Sequence, residues 1–339
     1  MLILRAAGSI YGAVAGWRRD WYARNPARRR RLQRPVISVG NLSVGGSGKT
    51  PIVAHVARLL VEHGELPVIL SRGYARHRGR RGPTVVSDRS RVLADFDSAG
   101  DEPLMLARML PGVPVVVGSS RFLSGRLAEE KLAATVHLLD DGFQHVQLER
   151  DVDLLAISQR DLDDTPLPAG RLREPLTGAR TAHALAITAN DDAEAEYVAR
   201  TVGISTFFRV KRHLGVPRPI ASDGPAMAPA DGRVLAVAGI ARPERFFRDL
   251  AANGWNVVET MSFRDHHRFT AHDLKLIEEA ARSARATVLV TEKDAARLGA
   301  VSLGVPAASV PLTITIEPAA AFLKWLRDRL ESRVPRSIL

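Results

Sequence analysis

The segment from residue 40 to residue 51 is rich in glycine and ends in Lys49-Thr50-Pro51, a composition suited to binding phosphate groups. The apolar run Val36–Val39 before it predicts a buried strand, and the apolar spacing after Thr50 predicts a helix. Between a strand and a helix, glycines let backbone N–H groups surround phosphate oxygens, and the helix N-terminus adds the positive end of its dipole. In this arrangement Lys49 would reach the β- and γ-phosphates, and Thr50 would offer a hydroxyl to Mg²⁺.

This nucleotide motif departs from its usual form at one position. In the pattern G-x-x-x-x-G-K-[ST] the first glycine is replaced here by Ser43. A glycine-rich turn before an ordinary helix is the alternative, but the preceding strand and the register of the lysine and threonine favour a nucleotide. The residues predicted to bind it are Ser43, Val44, Gly45, Gly46, Ser47, Gly48, Lys49 and Thr50.

Two pairs of carboxylates stand at the borders of predicted elements. Asp140 and Asp141 end the apolar strand that begins at Val136, as the metal-binding carboxylate of a Walker B element does. Open α/β sheets also bind ligands at the carboxyl ends of their strands. An Asp-Gly turn is the alternative at this point. Asp101 and Glu102 open a helical pattern, where they could take part in catalysis or merely cap the helix.

Two loops carry the arginines that could meet an anionic substrate. The loop 166–175 contains Arg173 and Glu174, and the planar guanidinium of arginine suits phosphate. The basic loop 76–83 fits an anionic substrate and a plain solvated loop equally well.

The segment 263–269 contains two histidines and Asp265, but no third spaced metal ligand lies nearby. A catalytic histidine facing the first domain is a simpler interpretation than a metal site. An ordinary surface loop is the other interpretation that remains open.

The net charge of the chain is concentrated at its N-terminus. The formal charge is +11 over 339 residues, and residues 1–35 hold nine arginines and one aspartate, which leaves only +3 for the rest. The chain has no cysteine, so disulfides and thiolate metal sites are excluded, and a reducing compartment is compatible. The length predicts two domains.

Residues 2–22 have the periodicity of a helix with one apolar stripe. The stripe consists of Ile3, Ala7, Ile10, Val14, Trp17 and Trp21. This pattern predicts a helix lying in a membrane interface, with the run Arg28–Arg31 attracted to anionic lipid. A secretory signal, suggested by Ala13–Ala15, is a poor alternative, while a helix packed on its own domain and a short tilted span remain open.

Short apolar strands alternate with helical patterns along the rest of the chain, which predicts an α/β fold. We expect a phosphate-loop NTPase-like core with a smaller C-terminal α/β domain. The predicted bounds are 1–34 for the membrane-associated basic helix and arm, 35–204 for the core, 205–230 for a β-ribbon or linker, and 231–339 for the smaller domain. The last helix is predicted either to belong to that domain or to dock on the core.

Six segments, in this order, resemble those of the tetraacyldisaccharide 4'-kinase family, the lipid A 4'-kinases of Gram-negative bacteria. The six segments are Asn41–Pro51, Ser71–Tyr74, Gly100–Pro103, Asp140–His145, Leu172–Pro175 and Asp265–His267. Each is weak evidence alone, but six in this order are highly specific, and the resemblance extends over nearly the whole chain.

The resemblance implies ATP-dependent phosphorylation of the 4'-hydroxyl of a tetraacylated glucosamine disaccharide 1-phosphate, giving lipid IVA at the cytoplasmic face of the inner membrane. It also implies that the two domains are joined by a β-ribbon and enclose the active site. The implied partners are the lipid substrate and an anionic membrane surface. We expect a monomer that does not bind nucleic acid.

The resemblance also implies a role for individual residues. Asp101 would be the catalytic base, His266 its partner across the cleft, and Lys49 a phosphate-binding residue. The residues implied around Mg²⁺ are Thr50, Glu102, Asp140 and Asp141. The residues implied to contact the substrate are Arg72, Tyr74, His145, Arg173 and Glu174. Ala75, where the family often has glycine, and Arg264, in place of a common proline, are departures that touch no implied catalytic group.

Two other functional classes fit parts of the sequence. A membrane-associated nucleotide-switch ATPase would use the same loop, but it often carries a lysine near the start of the glycine run, where Val44 stands here. A nucleic-acid-binding protein is disfavoured by the nearly neutral body of the chain and the lack of a basic, aromatic-rich surface motif.

Overall fold

The computed structural model describes residues 2–45, 48–73, 82–220, 232–265, 267–298 and 303–332. The chain divides into two compact units, the first formed by Met1–Lys211 with Ile314–Leu339 and the second by Arg212–Thr313. Each unit is a sheet with helices packed on it, so the predicted α/β fold is confirmed.

Ten helices and fourteen strands lie within the described ranges. The helices are α1 (Leu2–Arg24), α2 (Lys49–Glu62), α3 (Phe96–Ala99), α4 (Asp101–Met109), α5 (Arg121–Lys131), α6 (Asp192–Val202), α7 (Pro243–Ala252), α8 (Ala271–Ala284), α9 (Glu292–Leu298) and α10 (Ala319–Glu331). The strands are β1 (Val36–Asn41), β2 (Pro67–Ser71), β3 (Thr84–Ser87), β4 (Val115–Val117), β5 (Val136–Asp140), β6 (Val152–Ile157), β7 (Ala184–Thr188), β8 (Phe207–Leu214), β9 (Arg218–Pro219), β10 (Arg233–Ala238), β11 (Asn256–Ser262), β12 (Thr287–Thr291), β13 (Ala307–Val310) and β14 (Leu312–Glu317).

The sheet of the first unit has the described strand order β14-β8-β7-β6-β1-β5-β2-β4-β3. The pairs from β8 to β4 are parallel, and β3 is antiparallel to β4 at one edge. Strands β1, β2, β5 and β6 are buried along their whole length, as expected for parallel strands covered on both faces. The chain builds β2 to β5 on one side of β1 and β6 to β8 on the other, so the loop after β1 lies where open α/β sheets bind ligands.

Alternate residues of the strands point to two different cores. One core contains Ile37 of β1 with the apolar faces of α2, α4 and α10. On the opposite face, Val36 packs in a cluster with α5, and Leu155 of β6 packs in a cluster with α6. The side-chain alternation of a strand therefore explains how one sheet supports helices on both faces.

The second unit has a smaller sheet with the described order β11-β10-β12-β13-β9. Its first four strands are parallel and β9 is antiparallel to β13. Val234 packs in a core with α7, and its neighbour Leu235 packs in a core with α8.

The end of the chain returns to the first unit. Strand β14 lies beside β8 in the large sheet, and α10 buries Phe322 with a ring-centroid distance of 5.0 Å to Phe208. Since β8 pairs with β7 over Phe207–Val210, the first unit extends to Lys211, beyond the predicted end of the core at 204. Of the predicted linker, residues 221–230 lie outside the described residues.

Helix α1 packs on the first unit through small residues and leaves its apolar stripe exposed. A methyl group added at Gly8 would lie 2.9 Å from the carbonyl oxygen of Pro166, so the backbones are in close contact. On the other side Ile3 is 85% exposed and Trp17 is 66% exposed. Among the described residues, no helix is both long and apolar enough to cross a membrane. The helix thus docks on its own domain and still presents an apolar surface.

Candidate active site

The phosphate-loop segment joins the end of β1 to the start of α2, as its sequence predicts. Gly45 and Gly48 have φ angles of 93° and 79°, which favour glycine, and Gly48 is the N-cap of α2. The ammonium group of Lys49 donates a 2.7 Å hydrogen bond to Oδ1 of Asn41, the last residue of β1. Thr50 is buried in the first turn of α2. The loop therefore holds its lysine and threonine at the carboxyl end of the central strand.

The two carboxylates after β5 lie beside this lysine. The register that pairs Val39 with Asp140 brings the end of β5 next to β1. Asp141 has a φ of 57°, and its Oδ1 lies 2.8 Å from Nζ of Lys49. Asp140 instead points toward β2, where the hydroxyl of Ser71 donates a 3.1 Å hydrogen bond to it. The structure therefore brings the lysine of the phosphate loop and the aspartates after β5 together.

The environment shifts the pKa values of these two aspartates in opposite directions. Burial, followed by the repulsion of Glu102 and Asp141, raises the pKa of Asp140 to about 7. Burial alone would also raise the pKa of Asp141, but Lys49 and Arg173 more than offset it and lower the pKa to about 2. Asp141 is therefore ionised at neutral pH, whereas Asp140 is only partly ionised.

The segment 171–173 pairs with the first half of the phosphate loop. The backbone N–H of Val44 donates to the carbonyl of Arg171 at 2.8 Å, and that of Arg173 donates to the carbonyl of Leu42 at 2.7 Å. This pairing brings Nη1 of Arg173 to 2.6 Å from Oδ2 of Asp141. Backbone hydrogen bonds between distant segments thus hold Arg173 beside Asp141, and its predicted contact with substrate stays a prediction.

Glu174, the next residue, faces away from the loop. It is 2% exposed and forms a bidentate ion pair with Arg19 of α1. Its predicted contact with substrate stays a prediction, and its contacts in the structure are with Arg19 of α1 and with Gln144.

Asp101 and Glu102 form the first turn of α4. Gly100, with a φ of 85°, is the N-cap, so the helix does not need Asp101 as its cap residue. Asp101 is 4% exposed, and its Oδ1 accepts a 2.9 Å hydrogen bond from the N–H of Glu102. Glu102 is close enough to Asp140 to raise its pKa, so this turn lies near the carboxylates that the sequence predicts to bind metal.

His145 follows the aspartate pair and has a cationic environment. Burial, followed by the charges of nearby arginines that include Arg121, Arg18 and Arg72, lowers the pKa of His145 to about 4. The imidazole is therefore neutral at physiological pH, and the arginines give this edge of the site a positive potential. Arg72, predicted as a substrate residue, is exposed just after β2.

Four predicted site residues lie outside the described residues. They are Gly46, Ser47, Tyr74 and His266. Near the last of these, Nε2 of His267 lies 3.0 Å from Oδ2 of Asp273, and its ring stacks on Phe263. His267 is thus held within the second unit.

Comparison with known proteins identifies the family. Residues 1–331 match the family described as tetraacyldisaccharide-1-P 4'-kinase. A tetraacyldisaccharide 4'-kinase of Koribacter versatilis is 38% identical over 96% of this chain and 98% of its own length. That of Bradyrhizobium diazoefficiens is 41% identical over 93% and 88%. The chain belongs to the tetraacyldisaccharide 4'-kinase family.

A solved structure of a member of this kinase family agrees with the fold. The crystal structure of LpxK from Aquifex aeolicus in complex with ATP superposes with a TM-score of 0.78 and 33% identity, covering 97% of this chain and 100% of that one. The P-loop α/β architecture is therefore shared with a kinase of this family that binds ATP.

The donor set of this family member suits Mg²⁺ bound together with phosphate. Among the described residues, no three histidine or acidic side chains are arranged to hold a metal ion by themselves. Mg²⁺ usually takes one or two carboxylates and completes its shell with phosphate oxygens and water. The mutual repulsion of Glu102, Asp140 and Asp141 is what a divalent cation would relieve. Oxygen donors of this kind, together with Thr50, fit the ion.

Two polar residues of the site were not assigned by sequence reasoning. Asn41 binds Lys49, and Gln144 donates hydrogen bonds of 2.9 Å to both the carbonyl of Asn41 and the carboxylate of Glu174. The only sequence signal for Asn41 is a polar residue directly after a largely apolar run. For Gln144 the sequence contains no signal of a role other than its position next to His145.

Proposed function

We propose that this kinase transfers the γ-phosphoryl group of ATP to the 4'-hydroxyl of a tetraacyldisaccharide 1-phosphate, giving lipid IVA. Membership in the family and the likeness to an ATP-bound relative support the reaction. The observation that carries the proposal is the arrangement of Lys49, Asp141 and Arg173, which gathers two cations around one carboxylate at the end of the phosphate loop.

Phosphoryl transfer depends mainly on positioning and on neutralising the charge of the transferred group. Lys49 would exchange its contact with Asp141 for phosphate oxygens, and the N-terminus of α2 would add backbone N–H donors. Thr50, Asp140, Asp141 and Glu102 would hold Mg²⁺, which neutralises phosphate oxygens when it is bound. Asp101 would accept the proton of the 4'-hydroxyl. His266, once protonated, would keep Asp101 ionised and oriented.

The proposed substrate is a lipid, and the surface of the first unit supports its recognition at a membrane. Arg72, Tyr74, His145 and Arg173 would contact the anionic sugar head group. The exposed apolar stripe of α1 and the arginines that follow it suit the surface of an anionic bilayer. We infer a peripheral or monotopic monomer at the cytoplasmic face of the inner membrane.

The deciding experiment is a transfer assay with γ-labelled ATP and the disaccharide 1-phosphate in detergent micelles. A labelled lipid product is expected. Asp101→Asn should lower kcat by about 10²–10⁴-fold while ATP binding is retained, because only the proton acceptor is lost. The matched control is Asp163→Asn, which changes an exposed aspartate of the same unit.

Two results would contradict the proposal. Hydrolysis of ATP without any labelled lipid would indicate the nucleotide-switch ATPase instead. A normal turnover number in Asp101→Asn would overturn the assignment of the base.

A further inference from the structure

Arg19 is a buried charge on a helix that is otherwise largely exposed. The residue is 6% exposed, although α1 lies at the surface of the first unit. Its Nε and Nη2 donate to the two carboxylate oxygens of Glu174 at 2.6 and 2.8 Å. Its Nη1 donates to the hydroxyl of Thr181 at 3.0 Å, and Nη2 also donates to the carbonyl of Phe143 at 3.0 Å. One guanidinium therefore joins α1 to two segments next to the site.

The same guanidinium also stacks on the ring of Phe143, 4.1 Å from its centroid. Phe143 in turn packs so closely on Gly40 that a methyl group there would lie 2.5 Å from its Cβ. Gly40 immediately precedes the last residue of β1. Arg19 is thus connected, through the ring of Phe143, with the strand that leads into the phosphate loop.

A second route runs through the carboxylate that Arg19 holds. Oε1 of Glu174 accepts a hydrogen bond from Gln144, whose amide also donates to the carbonyl of Asn41. Oε1 of Gln144 lies 3.3 Å from Nη1 of Arg173. Arg173 binds Asp141, and Asp141 binds Lys49. A continuous set of polar contacts therefore connects α1 with the phosphate-loop lysine.

We propose that Arg19 is a positioning residue for phosphoryl transfer, which orients the Glu174–Gln144–Arg173–Asp141 contacts and through them Lys49. This inference rests on the proposed function, because it concerns the same phosphoryl transfer. All the contacts that it uses lie within the first unit. The helix with the exposed apolar stripe is then part of the active-site framework. Fast phosphoryl transfer then requires that α1 is docked correctly on the first unit.

The chemistry of the contact supports positioning over simple attachment. A buried ion pair adds little net stability compared with apolar packing, because both charges lose their hydration. Elsewhere α1 docks through small residues such as Gly8 and Gly12, which need no charge. A bidentate arginine–carboxylate pair, in contrast, fixes the orientation of both groups. The additional hydrogen bonds that Arg19 donates to Phe143 and Thr181 fix the orientation of its guanidinium group.

The test compares two substitutions of this residue. Arg19→Lys keeps the positive charge next to Glu174 but cannot form the bidentate pair together with the contacts to Phe143 and Thr181. Arg19→Gln removes the charge. The matched control is Arg126→Gln, because Arg126 of α5 forms an exposed ion pair of 2.8 Å with Glu130, remote from these contacts.

For each variant, kcat and the lipid KM are measured well below its melting temperature, together with binding to anionic vesicles. We expect Arg19→Lys to lower kcat by about 10- to 100-fold, the effect of displacing a reacting group by about 1 Å. The lipid KM and vesicle binding should change little, since the apolar stripe is intact. A helix that served only for attachment would give the reverse, an altered KM with a normal kcat.

Other outcomes overturn the inference. The inference is overturned if Arg19→Lys folds and has a kcat near that of the parent protein. It is also overturned if neither variant folds, because Arg19 would then be needed for folding. If the parent protein itself makes no labelled lipid, the proposed function fails and labelled ATP alone becomes the probe. Weaker ATP binding in Arg19→Lys than in Arg126→Gln then supports the positioning role, and equal binding excludes it.

Discussion

Adjacent aspartates at the end of β5 have become chemically different residues. Asp141 contacts two cations and stays ionised, while burial, followed by the repulsion of Glu102 and Asp141, raises the pKa of Asp140 so that it is easily protonated. The difference follows from which way each side chain leaves the strand, toward Lys49 or toward Ser71. Two identical residue types thus supply one fixed anion and one carboxylate whose charge depends on a bound cation.

His145 gives a pH dependence that can be measured as stability. Burial and the surrounding arginines lower its pKa to about 4, below the value of an unfolded histidine. Below about pH 6.5 the unfolded chain binds a proton that the folded protein does not, so the folded state loses stability as the pH falls toward 4. We expect His145→Gln to reduce this acid-induced loss by roughly 2 kcal/mol between pH 7.5 and pH 5.

Thermal unfolding of the nucleotide-free protein at these two pH values is the measurement for His145. The control is His63→Gln, because His63 is exposed at the end of α2. An equal acid sensitivity in the parent protein and in His145→Gln would contradict the prediction.

Residue types at strand ends could be predicted, but their partners could not. Lys49 stands out because it ends a glycine-rich loop after an apolar strand, and Asp140–Asp141 because they end another apolar strand. The contact of Arg173 with Asp141 depends instead on hydrogen bonds between residues 42–44 and 171–173, segments far apart in sequence. Nothing local encodes that pairing, and for the same reason the roles of Asn41 and Gln144 were missed.

Among the elements, α1 shows how glycine spacing selects a docking face. The periodicity of its apolar residues was read correctly, but the face that packs on the protein is the one with Gly8, Gly12 and Arg19. Small residues allow the helix backbone to approach the 166–175 loop closely. The large apolar residues are left on the outer side.

A single methyl group should test this docking face. Gly8→Ala would place its Cβ 2.9 Å from a backbone oxygen, so the helix has to shift. We expect a loss of about 1–3 kcal/mol in unfolding free energy, typical of overpacking, and a lower kcat if α1 orients the site. Gly16→Ala is the control, because nothing lies within 4 Å of that position and alanine favours a helix. Urea unfolding of both variants measures the difference; equal stabilities would show that the contact is not tight.

The strands missed by sequence reasoning share a physical property. Three of the unpredicted strands, β3, β9 and β14, lie at the edge of a sheet, and the fourth, β13, pairs with the two-residue strand β9. A partly solvated edge strand alternates apolar and polar residues, as β14 does, and therefore lacks the continuous apolar run of a central strand. The fully buried central strands, rich in valine and leucine, were all recognisable.

At the scale of the whole molecule, charge and apolar surface coincide at the N-terminus. Most of the formal charge lies within residues 1–35, and the exposed side chains of α1 include Ile10, Val14 and Trp17. We expect Trp17→Ser to reduce the partition onto vesicles with anionic lipid by about 10-fold, as a buried aromatic side chain contributes about 1.5–3 kcal/mol. Co-sedimentation at fixed salt is the measurement.

The control for membrane binding is Tyr197→Ser, which removes an exposed aromatic residue from α6. Unchanged sedimentation of Trp17→Ser would show that the stripe does not enter the bilayer. A uniform loss of binding in high salt, without any effect of Trp17→Ser, would assign the attraction to the arginines alone.

The return of the chain to the first unit also determines when a newly made enzyme can become active. Strand β14 and helix α10, with Phe322 and Leu326, complete the core beneath the sheet that carries the phosphate loop. On the ribosome these residues are synthesised only after the whole of Arg212–Thr313. At roughly 5–20 residues per second, the phosphate loop waits many seconds for the packing that completes its domain. A nascent chain stalled before α10 would expose Phe208 and be a natural client for chaperones.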